Sequence, residues 1–257
     1  LMASQNVDFR LPIVHKFLMD LFGADWPDVW VTAVPGDPND RANVSCWRGG
    51  RAGDLAPGFD DTENLYYSVS VVKSGRRIAA DFVRAPIIVI DDVGTKVQVT
   101  DVQKVLGLPR WIVQTSQQSE QWVYRLGTPI EDPRIFERIM KALAAKGLTD
   151  PGTIDAVRAM RLPAGINGKA KYGSPSPKVT HTLFDKTRPD LDFVDLCFAL
   201  GLDPIETLDP DSHPSLPSSS KVGGTADLAK PDTILRALMD LGRVLGAGSE
   251  VGVLDIE

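Results

Sequence analysis

The sequence contains little cysteine and no long hydrophobic run, and each shortage excludes a class of protein. Its 2 cysteines, Cys46 and Cys197, are far apart and have no Cys or His neighbours. This spacing argues against a zinc site or a disulfide framework and fits an intracellular compartment. No apolar run approaches the roughly 20 residues of a membrane span, and the N-terminus shows no secretory pattern. We therefore expect a cytoplasmic protein that does not enter the membrane.

The chain also lacks an excess of positive charge. Its formal net charge of −6 does not suggest a general nucleic-acid binder. Locally the balance is reversed, because residues 156–184 contain no acidic residue and several cations: Arg158, Arg161, Lys169, Lys171 and Lys178. Such a stripe is compatible with one phosphate-binding site, although a loop with merely solvated charges would look the same.

Apolar periodicity and turn residues predict a layered fold. Helices are expected over residues 13–22, 100–106, 133–146 and 192–200, with Thr100 and Asp132 as caps and Gly23 and Gly147 as stops. Strands are expected over residues 28–34, 64–72, 85–90, 110–115 and 121–126. The alternation of strands and helices through about residue 165 argues for an α/β or α+β fold.

The C-terminal part of the chain has a different composition. Residues 209–225 are rich in Pro, Ser and Gly, which is typical of a flexible linker. Pro231 then opens an amphipathic helix. We expect a first domain over residues 1–190 and a small helical region over residues 191–257. Because the chain ends without an obvious finish, we also expect it to be one piece of a longer protein.

The most informative local feature is a buried strand that ends in two acids. Residues 85–90 are apolar, and Asp91 and Asp92 follow directly. Ligands often bind at the end of a buried strand, and two close carboxylates are unfavourable unless a cation such as Mg²⁺ neutralises them. The alternative is a strand followed by an ordinary turn with both acids solvated.

Two further segments could complete a phosphoryl-transfer site. Asp155 could join Asp91 and Asp92 in holding one or two divalent cations. Arg158 and Arg161 can grip phosphate oxygens, and on a helix they would share a face; surface salt bridges are the alternative. Ser116 and Gln121 offer a hydroxyl and an amide that could orient a nucleotide, and Asn167 and Lys169 could supply polar contacts. Gly165 and Gly168 would allow the backbone to approach a ligand closely. A solvated turn would equally explain the polar hairpin tip around Ser116.

In this order and spacing, the three segments resemble the archaeo-eukaryotic primase superfamily, particularly its RepB-like branch in phage and plasmid replication proteins. The shared pattern is an acid-tipped strand, a T-S-x-x-x-x-Q hairpin and the sequence D-x-x-R-x-x-R-L-P-x-G-x-N-x-K. The last of these is the most specific, because many fixed positions match in a short span. The resemblance covers about residues 60–170.

The resemblance implies a primase-polymerase core with a mixed β-sheet, an RRM-like palm, flanked by helices. It implies template-directed nucleotidyl transfer on single-stranded DNA from nucleoside triphosphates, with Mg²⁺ or Mn²⁺, in a bacterial host cytoplasm. A helicase domain can accompany such a core in the full-length protein. By the same resemblance, the metal ligands are Asp91 or Asp92 and Asp155, and the nucleotide or template contacts are Ser116, Gln121, Arg158, Arg161, Asn167 and Lys169.

Two positions depart from the pattern of many members. Their first-motif acids are two residues apart and so share one face of the strand, whereas Asp91 and Asp92 are adjacent and would point to opposite faces unless the strand ends between them. Which of the two binds metal is therefore open. Many members also have a histidine where this chain has Gln121, which bears on nucleotide preference.

Two other function classes remain open at this stage. A non-catalytic replication module could bind DNA with exposed aromatic side chains, for which the candidates are Trp111, Trp122, Tyr124 and Tyr172. A metal-dependent nuclease ranks last, because such sites often pair the acid with Glu-x-Lys on the next strand. Residues 114–116 read Gln-Thr-Ser and lack both groups.

Overall fold

The computed structural model describes residues 9–209 and residue 211. The helices are α1 (Pro12–Phe22), α2 (Ala52–Leu55), α3 (Val99–Leu106), α4 (Pro133–Ala145), α5 (Phe193–Leu200) and α6 (Pro204–Leu208). The strands are β1 (Val29–Val34), β2 (Arg48–Arg51), β3 (Asn64–Val72), β4 (Phe82–Val93), β5 (Trp111–Gln114), β6 (Glu120–Ile130), β7 (Ala159–Gly165) and β8 (Thr180–Phe184). The predicted combination of a sheet with flanking helices is confirmed. The expectation of a mixed sheet was wrong, because all pairings between these strands are antiparallel.

The strands form one forked antiparallel sheet in the order β2-β1-β3-β4-β6-β5-β8. Strand β3 pairs with β1 along one edge. Along its other edge it pairs first with β7, from Asn64 to Ser68, and then with β4, at Val71 and Val72. Because β4 and β7 share one edge of β3, they diverge from each other, and the sheet opens between them.

One hydrophobic core runs beneath the sheet and the helices. Phe17 of α1 packs edge-on against Tyr67 of β3 and against Trp111 of β5, so α1 spans both arms of the fork. The middle of β4, residues 87–90, is buried on both faces. The fork is therefore held by rigid packing directly behind the point where β4 ends.

Local signals located most helix ends correctly. Asp132 and Asp192 cap α4 and α5 through hydrogen bonds to backbone amides, and α1 ends at Gly23. The prediction that Thr100 caps α3 was wrong, because the cap is Gln98 and Thr100 lies in the first turn. Strands β2, β7 and β8 were not predicted.

Several predictions about the C-terminal part are not tested. Almost all of the expected linker, and the amphipathic helix from Pro231, lie outside the described residues. The division at residue 190 stays a prediction, although side chains of α5 such as Leu196 and Leu200 belong to the main core. In the described part, no helix is long and apolar enough to span a membrane.

Candidate functional site

A cavity of about 850 Å³ lies at the fork, lined by residues of β3, β4, β6 and β7. Asp91 and Asp92, from the end of β4, form what we call the acidic wall. The basic wall comes from β7 and the segments beside it, and it consists of Arg158, Arg161, Lys169 and Lys171. The cavity therefore brings together eight of the nine predicted site residues, since Ser116, Gln121 and Asn167 also line it.

A β-bulge turns both carboxylates into this cavity. The pairing of β4 with β6 is regular from Ile87 to Ile90 and resumes at Val93, so the two acids face one residue, Gln121. Asp92 has a φ of 60°, a left-handed conformation that aspartate tolerates better than most residues. The adjacent acids thus line the same cavity, and the expectation that they would point to opposite faces was wrong.

The Asp91 carboxylate is surrounded by neutral hydrogen-bond donors. Its Oδ1 accepts from Gln121 Nε2 at 3.1 Å and from the Asp92 amide at 2.9 Å, whereas Oδ2 has no hydrogen-bond partner among the described residues. Burial raises the pKa of Asp91, and the charge of Asp92 raises it further, against the opposing effect of the Gln121 bond. A cation beside Asp91 would offset both the cost of burying its charge and the repulsion from Asp92.

Asp92, in contrast, is engaged at both oxygens. Oδ1 accepts from Ser119 Oγ at 3.1 Å, and Oδ2 forms an ion pair with Lys96 Nζ at 2.8 Å. The same ammonium binds Asp150, which caps the short 3-10 turn after α4. These contacts lower the pKa of Asp150, through the Lys96 hydrogen bond first and the Gly152 amide second.

Gln121 connects the two walls. While its Nε2 donates to Asp91, its Oε1 accepts from the backbone amide of Arg161 at 3.1 Å. The hairpin tip before it is no solvated turn, because Ser116 and Ser119 are buried. The predicted nucleotide contact at Gln121 is therefore also a structural link that holds the acid in place.

Arg161 is a buried cation held only by neutral groups. It is 4% exposed, and its guanidinium donates to Asn167 Oδ1 at 2.6 Å, to the Ile166 carbonyl at 2.8 Å and to Asn64 Oδ1 at 3.3 Å. The ring of Tyr66 lies 4.7 Å away. Desolvation lowers the pKa of Arg161. A buried charge without a counter-ion is characteristic of a ligand site.

The other cations of the basic wall are also without carboxylate partners in the described region. Lys169 is half-buried, and burial lowers its pKa, followed by repulsion from Arg161 and Lys171. At Tyr172, burial alone would raise the pKa of the phenol, but hydrogen bonds with Ser116 and Lys171 and nearby positive charges outweigh it and lower that pKa. The wall therefore has an excess of positive charge, which an anion would neutralise.

The ninth predicted residue, Asp155, does not reach the site. It is exposed, it is absent from the cavity lining, and its Oδ1 accepts from the Val157 amide at 2.9 Å. Within the described chain, no three His, Cys, Asp or Glu residues are grouped so as to hold a metal ion. The expected three-carboxylate cluster of Asp91, Asp92 and Asp155 is therefore not formed, because Asp155 is used to cap its own turn.

The spacing of the two arginines left their geometry open, and the structure places them at a strand: Arg161 lies in β7 and Arg158 directly precedes it. The two glycines make room for the chain itself rather than for a ligand. A Cβ would lie 2.3 Å from the Glu63 carbonyl at Gly165, and 2.4 Å from the Gly36 carbonyl at Gly168. Of the four aromatic candidates for base stacking, only Tyr172 lines the cavity, while the core buries Trp111, Trp122 and Tyr124.

Sequence reasoning missed one residue on which the basic wall depends. Asn64, fully buried at the start of β3, donates to the Val34 and Gly36 carbonyls and accepts from the Gly168 amide at 2.7 Å as well as from Arg161. An asparagine at the edge of a predicted strand carries no local signal of this role. The role becomes visible only in the structure, because the hydrogen-bond partners of Asn64 are far from it in sequence.

The fold is that of primase catalytic domains. The archaeo-eukaryotic primase (AEP) domain of the cyanophage S-2L primase-polymerase matches with a TM-score of 0.56 at 15% identity, over 75% of this chain and 99% of that one. The catalytic domain of primase RepB′ in complex with initiator DNA matches with a TM-score of 0.51 at 16% identity, over 78% and 99%. A further primase RepB′ structure matches with a TM-score of 0.51 at 11% identity, over 90% and 68%.

No protein-family model and no curated protein matches the sequence. The fold that the resemblance of the three segments implied is thus confirmed by these structures.

Proposed function

We propose that the protein is a template-directed nucleotidyltransferase of the primase type, which joins nucleotides on single-stranded DNA in phage or plasmid replication. The observation that carries this proposal is the charge separation in the cavity. Two carboxylates line one wall, and four cations without carboxylate partners in the described chain line the other. A nucleoside triphosphate with a divalent cation has the matching charges, since the cation suits the acids and the phosphates suit the basic wall.

The donor set of the acidic wall suits Mg²⁺ or Mn²⁺. Such ions are commonly held by one or two carboxylates together with substrate phosphates and water, and Asp91 offers a free Oδ2 beside Asp92. We therefore assign the metal to Asp91 and Asp92 and leave Asp155 out. A bound divalent cation would polarise the α-phosphate and lower the pKa of the attacking 3′-hydroxyl.

The chain's own residues would act mainly by positioning and charge stabilisation. Arg161 and Lys169 bind the triphosphate, and the network of Asn64 and Asn167 holds Arg161 in place before the substrate arrives. Gln121 fixes Asp91 through Oδ1 and leaves Oδ2 facing the cavity. Because these groups are already oriented, little reorganisation is needed at the moment of reaction.

The partners follow from this activity. One RepB′ neighbour is described in complex with initiator DNA, and for this chain we propose a single-stranded DNA template that approaches past the exposed Arg158 and Lys171. A helicase domain in the full-length protein and a place in the bacterial host cytoplasm belong to the same proposal.

A primer-synthesis assay tests the proposal. The protein is incubated with single-stranded DNA, nucleoside triphosphates and Mn²⁺ or Mg²⁺, beside Asp91→Asn and, as a matched control, Asp101→Asn on the exposed face of α3. We expect new strands from the wild type and from the control, and a loss on the order of 100-fold in Asp91→Asn.

The same assay distinguishes the other function classes. DNA binding without synthesis in any metal would contradict the proposal in favour of a non-catalytic replication module. Shortening of the template would favour a nuclease.

A further inference from the structure

The only cation in contact with the acidic wall in the described residues is Lys96, and it holds two carboxylates at once. Its Nζ lies 2.8 Å from Asp92 Oδ2 and also forms an ion pair with Asp150 Oδ2. The two acids come from distant parts of the chain, the end of β4 and the turn after α4. One ammonium thus joins them much as a bound cation would.

The backbone around Lys96 builds this contact. The carbonyl of Asp92 accepts from the amides of Thr95, Lys96 and Val97 at 3.1 to 3.2 Å. Gly94 has a φ of 87°, and a Cβ there would lie 2.6 Å from the Gln118 carbonyl. The turn is therefore closed tightly against the hairpin. The backbone from which the Lys96 side chain extends is therefore fixed close to Asp92.

The contact also occupies an oxygen that a metal ion would need. Asp92 Oδ1 already accepts from Ser119, so the Lys96 ammonium takes the remaining oxygen. The Lys96 side chain is 66% exposed, which leaves it room to swing away. The lysines of the basic wall, in contrast, have no carboxylate partner within the described chain.

We propose that Lys96 is a built-in counter-ion of the acidic wall, which holds Asp92 and Asp150 in the metal-free protein and must release Asp92 when a divalent cation binds. This inference rests on the proposed function, because it concerns the cation that the function requires. Its consequence is that Lys96 weakens metal binding, both by competing for Asp92 and by repelling the cation.

Direct metal binding tests the inference without any assay of activity. Chelator-treated full-length chain is titrated with Mn²⁺, and free Mn²⁺ is followed by electron paramagnetic resonance. Lys96→Met should bind Mn²⁺ about tenfold more tightly than the wild type, because a like charge next to the site is removed. Lys104→Met, at an exposed lysine of α3, is the matched control and should change the affinity less than about twofold.

The outcomes separate this inference from the proposed function. If the wild type binds Mn²⁺ and Asp91→Asn does not, but Lys96→Met behaves like Lys104→Met or binds more weakly, the counter-ion role is wrong and the metal site stands. If neither the wild type nor Lys96→Met binds Mn²⁺, the counter-ion role is wrong, whereas the proposed function fails only if the primer-synthesis assay gives no product. As a second measurement, Mg²⁺ should shift the side-chain nuclear magnetic resonance signal of Lys96 and leave that of Lys104 in place.

Discussion

Two arginines, the half-buried Arg110 and the buried Arg161, have opposite surroundings. The Arg110 guanidinium binds both oxygens of Asp20, at 2.6 and 2.7 Å, and the Trp111 indole supports the same carboxylate at 2.8 Å. Arg161 binds only carbonyl and amide oxygens, chiefly those of Ile166 and Asn167. The Asp20 hydrogen bond raises the pKa of Arg110, whereas desolvation lowers that of Arg161.

The difference distinguishes a charge that the fold neutralises from one that the fold leaves available to a ligand. At Arg110 the positive charge is neutralised inside the fold, and the ion pair ties α1 to the start of β5. At Arg161 neutral dipoles fix the position of the guanidinium but leave its charge available. A site that binds an anion requires the second arrangement, because a carboxylate in the same position would compete with the ligand.

The largest expected effect is on stability at Arg110. Arg110→Met should lower the free energy of unfolding by about 3 kcal/mol, because the half-buried Asp20 carboxylate is left with the Trp111 indole as its hydrogen-bond donor. Urea denaturation measures it, with Arg51→Met as the control, because the ion pairs of Arg51 with Asp28 and Asp54 are exposed; the control is expected within about 0.5 kcal/mol of the wild type. If Arg110→Met loses no more stability than the control, the ion pair of Arg110 with Asp20 does not stabilise the fold.

The second effect should fall on ligand binding. Arg161→Met should weaken the binding of a non-hydrolysable nucleoside triphosphate by about 2 kcal/mol, since charge-assisted hydrogen bonds to phosphate are lost. Calorimetric titration measures it, and Arg158→Met, at an exposed position, should lose less. Equal affinities in the wild type and Arg161→Met would mean that the buried charge serves the fold instead.

The third effect concerns pH and the acidic wall. Because burial and Asp92 raise the pKa of Asp91 in the folded state, ionisation of Asp91 destabilises the fold as pH rises through its unfolded and then its folded pKa. In the presence of chelator, Asp91→Asn should therefore be more stable than the wild type at pH 7 by roughly 0.5–2 kcal/mol. The difference should shrink toward acidic pH in urea titrations. A wild type that is equally stable or more stable at pH 7 would contradict the assigned cause.

The smallest effect tests whether Asp155 belongs to the proposed metal ligands. Asp155→Asn should leave Mn²⁺ affinity within about twofold of the wild type, because Asp155 caps its own turn outside the cavity and asparagine can keep that hydrogen bond. Loss of Mn²⁺ binding in this variant would restore Asp155 to the metal ligands.

The success of the sequence predictions depended on how local each signal was. Helices α1, α4 and α5 were predicted because Gly23, Asp132 and Asp192 mark their ends within a few residues. Strand β7 was missed because six of its seven residues are buried, so it shows no alternation of polar and apolar residues. It also contains Pro163, which suits a strand that pairs only with β3.

The sequence by itself indicated eight residues that line the cavity, the acid-tipped strand and the family that the motifs resemble, since all of these are patterns of residue type along the chain. Only the tertiary structure decided how those residues are used. The bulge opposite Gln121 turns Asp91 and Asp92 to one side, and the fork of the sheet brings Arg161 near them without a carboxylate partner. These arrangements depend on the register of strands that are distant in sequence, which no local pattern encodes.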